Sequence, residues 1–368
     1  MTPRRVLVLA GTRPEAVKLA PVVRALRARL GAGAVSLGVS AQHRDMLDAA
    51  LRELDLRADF DLNVMRPGQT PLAALSAMLT GLERELRRRP PAVVVVQGDT
   101  TTALAGALCA FHLKIPVAHV EAGLRTGNLA DPFPEEANRS LIARLAAVHF
   151  APTPAAREHL LREGIDPARV RVTGNTAVDA VLWARERALA AGAPPPGPYV
   201  LVTLHRRESF GAPMERLFKA LLRLLDAEPG LRLIYPVHPN PQVRQAALRA
   251  VRHSRALLRP PAPYLEFVRL MSGARLIMTD SGGIVEEAAS LRKPVIILRE
   301  TTERPELVAA GGAILAGTGT RGVVAAARRV LGDAALYRRM TRVANPYGDG
   351  KAAGRIAAGV ARLLRRAR

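Results

Sequence analysis

Val6-Leu7-Val8-Leu9-Ala10-Gly11-Thr12-Arg13-Pro14-Glu15-Ala16-Val17-Lys18 decides how the chain is read. Five consecutive apolar residues suit a strand buried on both faces of a sheet. A short polar turn follows, and Pro14 then stands at the start of a helix running to about Arg29, where its missing N–H costs nothing. Strand, turn and helix in this order form the repeating unit of a parallel α/β sheet. The pattern recurs at Val35–Ser40, Ala92–Gln97, Val117–Glu121 and Val148–Ala151. After the stiff Pro-rich loop around Gly192 it returns at Tyr199–Leu204, Leu231–Val237, Arg275–Thr279 and Val295–Arg299. The expectation is α/β architecture with two doubly wound, Rossmann-like domains.

At 368 residues the chain exceeds the usual span of one hydrophobic core, and 49% hydrophobic content suffices for two. The domain change is expected around Thr173–Thr176, giving an N-terminal α/β domain over 1–174 and a nucleotide-binding domain over 175–350. The segment 351–368 reads as a basic helix.

A net charge of +22 raises the question of nucleic acid. The arginines are scattered along helical stretches without interleaved aromatics to stack bases, and only five of the 54 basic residues are Lys. Solvated helix faces are the better reading, so no specific nucleic-acid partner is expected. Cys109 is the single cysteine and sits in an Ala-rich helical stretch, which excludes an internal disulfide. The apolar run after the first residues is too short for a signal peptide, and no stretch reaches membrane-spanning length. A cytoplasmic protein without membrane association is expected.

In open parallel sheets, ligands sit beyond the carboxyl ends of the strands. The polar motifs fall there. Gly11-Thr12-Arg13 and Lys18 follow the first strand, and Gly98-Asp99-Thr100-Thr101-Thr102 follows Ala92–Gln97. Glu121 ends the next strand, and Glu135 and Glu136 open the helix beyond. Crowded carboxylates raise one another's pKa and can exchange protons near neutrality, although a helix N-terminus by itself favours Glu135 or Glu136. In the second half, His205-Arg206-Arg207-Glu208 and Asp280-Ser281-Gly282-Gly283 also follow strands, and the latter opens a helix able to receive a diphosphate. Gly317-Thr318-Gly319-Thr320-Arg321-Gly322 matches a dinucleotide fingerprint, yet no acidic residue follows at the ribose-binding distance. NAD is therefore not expected, and no residue spacing suggests a metal.

These motifs, together with Ala41-Gln42-His43-Arg44, Thr173-Gly174-Asn175-Thr176, Thr302-Glu303-Arg304-Pro305-Glu306 and Asn345-Pro346-Tyr347-Gly348-Asp349-Gly350, appear in an order and spacing that resemble the non-hydrolysing UDP-N-acetylglucosamine 2-epimerases over essentially the whole chain. The resemblance implies a glycosyltransferase-B-like fold whose two domains face a cleft, a homodimer, and a C-terminal helix that packs back on the first domain. It implies catalytic roles for Asp99, Glu121, Glu135 and His205. Arg13, Lys18, Phe267, Ser281, Gly282, Gly283, Glu287 and Arg304 match positions that hold the nucleotide sugar. Gln42, Gln69, Arg206, Glu208 and His238 match a second, activating UDP-N-acetylglucosamine site. Asp45 and Gly68 replace residues found there in some relatives, which points to weak activation. Ala262 stands where some relatives carry a Gln near the uracil, and Val285 where many carry a Gln.

The implied reaction interconverts UDP-N-acetylglucosamine and UDP-N-acetylmannosamine through a 2-acetamidoglucal, without cofactor or metal, and supplies cell-surface polysaccharide. The alternatives are a glycosyltransferase of the same fold and a hydrolysing epimerase.

Overall fold

The computed structural model describes residues 5–40, 44–66, 68–206 and 209–366. It contains two compact units, Met1–Ala180 with Tyr347–Arg368, and Val181–Pro346. The first unit runs β1 (Val6–Ala10), α1 (Arg13–Leu30), β2 (Val35–Val39), α2 (Arg44–Glu53), β3 (Phe60–Asp61), α3 (Pro71–Arg88) and β4 (Val93–Gln97). It continues through α4 (Thr101–His112), β5 (Val117–Val120), α5 (Glu135–Leu145), β6 (Val148–Ala151), α6 (Pro154–Arg162) and β7 (Val170–Val172).

Seven strands form one parallel sheet in the order β3-β2-β1-β4-β5-β6-β7. Val8 is central, paired with Leu37 on one side and Val95 on the other. The winding direction reverses between β1 and β4, which makes the carboxyl ends of these strands the natural ligand edge of this sheet. Leu9, Val94 and Val96 pack with Met78, Leu82, Leu104 and Ala107 from α3 and α4 to form the core on one face.

Helix α7 (Thr176–Ala190) leads into the second unit. There β8 (Tyr199–Thr203), α8 (Ala212–Ala227), β9 (Arg232–Pro236), α9 (Pro241–Ala250), β10 (Ala256–Arg259), α10 (Tyr264–Gly273) and β11 (Leu276–Thr279) follow in turn. Next come α11 (Gly282–Ser290), β12 (Val295–Ile297), α12 (Pro305–Ala309), β13 (Ala313–Leu315), α13 (Thr320–Gly332) and α14 (Ala334–Arg342). The six-stranded sheet has the order β10-β9-β8-β11-β12-β13, with its reversal between β8 and β11. On α8, Met214, Leu217, Phe218, Leu221, Leu224 and Leu225 fall at helical spacing and are buried against this sheet. Burying each of these larger side chains contributes roughly 1.5–3 kcal/mol.

Both sheets are parallel and helix-covered, so the α/β, two-domain expectation holds. The sequence places the domain change at 174/175, whereas the compact units divide after Ala180, inside α7. Asp179 explains the offset. Its carboxylate accepts from the amides of Ala352 (3.2 Å) and Ala353 (2.9 Å), binding the first turn of α7 to the start of α15 (Ala352–Arg366). Helix α15 lies against α1 and β4 of the first unit. Ala353, Ile356, Ala357, Val360, Ala361 and Leu364 form its buried stripe, while Arg355, Arg362 and Arg365 stay exposed.

Candidate active site

The turns after β1 and β4 are joined by a carboxylate. Thr12 caps α1, and Glu15 three residues on completes a capping box, Thr12 Oγ1 accepting from the Glu15 amide at 3.4 Å. The Glu15 carboxylate, 2% exposed, accepts from the Gly11 amide (3.0 Å), Thr12 Oγ1 (2.8 Å) and Thr100 Oγ1 (2.7 Å). Burial pushes this carboxyl up to about 7, against the pull of those bonds.

Glu121 follows β5 directly and holds a left-handed φ of 60°, a conformation that costs a non-glycine residue roughly 1–3 kcal/mol and persists where its surroundings fix it. Three side-chain donors fix it. Lys18 Nζ (2.5 Å) and Asn175 Nδ2 (3.0 Å) donate to Glu121 Oε1, while Gln97 Nε2 donates to Oε2. Asp99, after β4, pairs with Arg139, and its carbonyl accepts from Asn138 Nδ2 at 2.9 Å. Burial raises the Asp99 carboxyl, Arg139 opposes, Glu121 raises it further and Lys18 opposes; the net is upward.

The structure thus brings Asp99, Glu121 and Lys18 together, and Arg13 opens α1 beside them in sequence, partly buried. Lys18, expected to hold substrate, has its ammonium on Glu121. Of the two glutamates opening α5, Glu136 is the structural one. It is 1% exposed, accepts from the amides of Thr126 and Gly127 at 3.1 Å each, and pairs with Arg139. Glu135 is partly exposed in the same first turn. His119 bonds through Nε2 to the Gly98 carbonyl (2.7 Å), and burial lowers its pKa to about 4, so it is a neutral brace for the turn carrying Asp99.

In the second unit the fully buried Asp280 directly follows β11 and organises the turn after β8. Its Oδ2 accepts from the amides of His205 and Arg206 at 2.9 Å each, and its Oδ1 lies 3.3 Å from His205 Nδ1. The His205 ring stacks on His238 with centroids 5.5 Å apart. Burial holds the His205 imidazole below its ordinary value, with Asp280 opposing and Arg206 assisting.

Helix α11 begins at Gly282 and Gly283 after Ser281, without a side-chain cap, so its first amides have no intrahelical acceptor, as at the anion sites of helix N-termini. Behind them Glu287 accepts from Tyr264 Oη at 3.1 Å, and Arg304, largely buried, pairs with Glu286. Phe267 is partly buried on α10. His205, Ser281, Gly282 and Gly283 therefore share the β8/β11 edge, with Glu287 and Arg304 one turn or one loop away.

Of the second-site candidates, Gln69 accepts from the Arg66 amide at 3.2 Å and Arg206 lies 3.6 Å from Glu303. Gln42 and Glu208 lie outside the described residues. At the fingerprint Gly317–Gly322, the Glu300 carboxylate accepts from the Thr318 amide (2.9 Å) and hydroxyl (2.7 Å). Among the described residues no group of three or more His, Cys, Asp or Glu is placed to hold a metal, and no helix is long and apolar enough to cross a membrane.

Glu15, Asn175 and Gln97 stand in motifs that the sequence marks, yet neither their partnerships nor those of Asn138 and Arg139 are legible there. The Thr12/Glu15 spacing is itself a capping-box signal, and a polar residue closing Val93-Val94-Val95-Val96-Gln97 marks a side chain aimed beyond the sheet.

Residues 29–361 match the family model described as UDP-N-acetylglucosamine 2-epimerase. A protein of Escherichia coli strain K12 named UDP-N-acetylglucosamine 2-epimerase is 48% identical over 365 residues, covering 96% of this chain and 97% of its own. The crystal structure of UDP-GlcNAc 2-epimerase from Neisseria meningitidis bound to UDP-GlcNAc superposes with a TM-score of 0.90 at 39% identity, covering 97% of this chain and all (100%) of that one. The Methanocaldococcus jannaschii UDP-GlcNAc 2-epimerase in complex with UDP-GlcNAc and UDP gives a TM-score of 0.82 at 34% identity, with 97% and 99% covered.

Proposed function

The chain belongs to the UDP-N-acetylglucosamine 2-epimerase family, and we propose from this premise that it interconverts UDP-N-acetylglucosamine and UDP-N-acetylmannosamine without hydrolysis. The observation that carries the reading is the pair of carboxylates Asp99 and Glu121, which follow the neighbouring strands β4 and β5 at the carboxyl edge of the first sheet, with Lys18 on Glu121. Carbon 2 of the sugar bears no acidic hydrogen. One carboxylate takes its proton while the bond from carbon 1 to UDP breaks, leaving a 2-acetamidoglucal and UDP. An acid then returns a proton to the opposite face of carbon 2, and UDP re-adds at carbon 1. Asp99, Glu121 and Glu135 are the candidates for these proton transfers.

The departing diphosphate gains charge as the bond breaks. His205, Arg13, Arg304 and the amides of Ser281, Gly282 and Gly283 are the groups assigned to it, with Phe267 and Glu287 holding the nucleoside. No metal or nicotinamide is assigned a role. The same reading places the enzyme in the cytoplasm, in supply of cell-surface polysaccharide.

A homodimer fits the surface of the first unit. Leu72 on α3, Phe111 on α4 and Leu141 on α5 are more than half exposed on helices that pack in succession. The second nucleotide-sugar site, through Gln69, Arg206 and His238 with Gln42 and Glu208, is proposed to activate weakly. A lag in the reverse reaction that a trace of UDP-N-acetylglucosamine shortens supports it, and progress curves indifferent to the trace exclude it.

The decisive experiment runs the reaction in heavy water without added metal or NAD. Equilibration of the two nucleotide sugars with deuterium at carbon 2 is expected. Stoichiometric release of free N-acetylmannosamine establishes the hydrolysing alternative instead.

A further inference from the structure

Two sequence motifs take no part in the mechanism above: Thr173-Gly174-Asn175-Thr176, and Asn345 to Gly350 near the end of the chain. The first unit brings them together. Gly174 and Gly348 both have positive φ, 87° and 130°, and lie back to back: a Cβ on Gly348 would stand 3.1 Å from the Gly174 Cα. At this crossing the Asn175 amide donates to the Tyr347 carbonyl at 2.7 Å. Arg355 of α15 donates to the Thr173 carbonyl (3.0 Å) and forks onto Asp349 at 2.7 Å per arm.

The Asn175 side chain, 2% exposed, is committed at both ends. Its Oδ1 accepts from the Ala177 amide at 2.9 Å, capping α7, and its Nδ2 donates to Glu121 Oε1 at 3.0 Å. Rotating the amide would turn an acceptor toward a carboxylate and a donor toward an N–H, so the chemistry allows one orientation. We propose that Asn175 is a positioning residue for Glu121, and that the returning segment Tyr347–Gly348 sets it in place. This rests on the reading that Glu121 acts on the substrate. Charged or titratable groups that interact with Glu121 include Lys18 from α1, Asp99 from the turn after β4 and His119 on β5.

Asn175→Asp tests the idea. Asp caps a helix as well as Asn, so the change keeps the α7 cap and the bond to Tyr347 while setting a carboxylate oxygen against Glu121. The epimerisation rate is measured against pH for Asn175→Asp, Asn175→Ala and Glu121→Gln. A displaced reacting group costs roughly 100-fold, so kcat of Asn175→Asp is expected to fall on that order with KM near wild type. Its acid limb moves to higher pH, because like charges raise each other's pKa. Asn175→Ala loses kcat without that displacement, and Gly348→Ala loses less.

Thermal denaturation at pH 8 gives a readout independent of turnover. Asn175→Asp lowers Tm, and adding Glu121→Gln raises it again, because it removes the repulsion between the two carboxylates and leaves the new one for the Lys18 ammonium. Wild-type kcat and pH profile for Asn175→Asp beside an inactive Glu121→Gln overturns the proposal alone. Full turnover by Glu121→Gln overturns the reading of Glu121 and the proposal with it.

Discussion

Replacing Glu15 by Gln is expected to stabilise the protein at neutral pH, by an amount set by the position of its carboxyl. Burial moves that carboxyl from 4.5 to about 7. The span is about two and a half pH decades, and at roughly 1.4 kcal/mol per decade it amounts to about 3 kcal/mol. The unfolded chain releases this proton near 4.5 and the folded chain near 7, so between them the folded state binds more protons. The stability Glu15 supplies is therefore fully present below about 4.5 and is lost as pH rises through about 7. A Gln in the same place fits without charge. Its oxygen can keep the Gly11 amide and Thr12 hydroxyl, and its NH2 can donate to Thr100 Oγ1, which retains a free lone pair beside the Ala103 amide. Urea denaturation followed by circular dichroism between pH 4.5 and 8.5 measures both proteins. The stability of Glu15→Gln relative to wild type should climb by about 3 kcal/mol across that range. Parallel profiles, or a wild type that gains on the variant as pH rises, would refute the argument.

Glu121→Gln and Asp99→Asn are expected to lower turnover by roughly 100-fold or more while calorimetry shows UDP binding largely kept, since these carboxylates are assigned to sugar protons; equal loss of binding would break that division. Ser281→Ala combined with Glu287→Ala should do the opposite, weakening UDP affinity first. Gly11→Ala places a methyl 1.9 Å from Thr102 Oγ1 and 2.8 Å from Ser40 Oγ, so a loss of about 1–3 kcal/mol is expected in denaturation. An unchanged midpoint would mean that the Ser40 and Thr102 hydroxyls, hydrogen-bonded at 2.7 Å, yield freely.

The strands read from sequence are the interior strands of both sheets, whose apolar runs stand out because both faces are buried. The four that escaped notice, β3, β7, β10 and β13, are the four sheet edges. They are two to four residues long and partly exposed, so they lack both the length and the apolar run that signal a strand. At the site, the turns carrying Asp99, Glu121, His205 and Ser281 were legible because each follows an apolar strand. Partnerships were not. Lys18 and Glu121 are 103 residues apart, Arg139 and Asp99 40 apart, and only the winding of the sheet brings them together. Glu135 and Glu136 are indistinguishable in sequence. The roughly 100° between neighbours on a helix sends Glu136 inward to the Thr126 and Gly127 amides and leaves Glu135 at the surface.

Because the first unit is completed by Tyr347–Arg368, its assembly on the ribosome is interrupted. About 170 residues of the second unit are translated between Ala180 and Tyr347, which at about 5–20 residues per second takes roughly 10–30 s. Through that interval α1 lacks the apolar stripe of α15, and Asn175 lacks the carbonyl that holds its amide. The second sheet, continuous in the chain, can finish before the first is sealed. A released chain truncated before Tyr347 would thus carry the whole Val181–Pro346 unit and an N-terminal sheet still open along α1, which is the surface a chaperone or protease would meet.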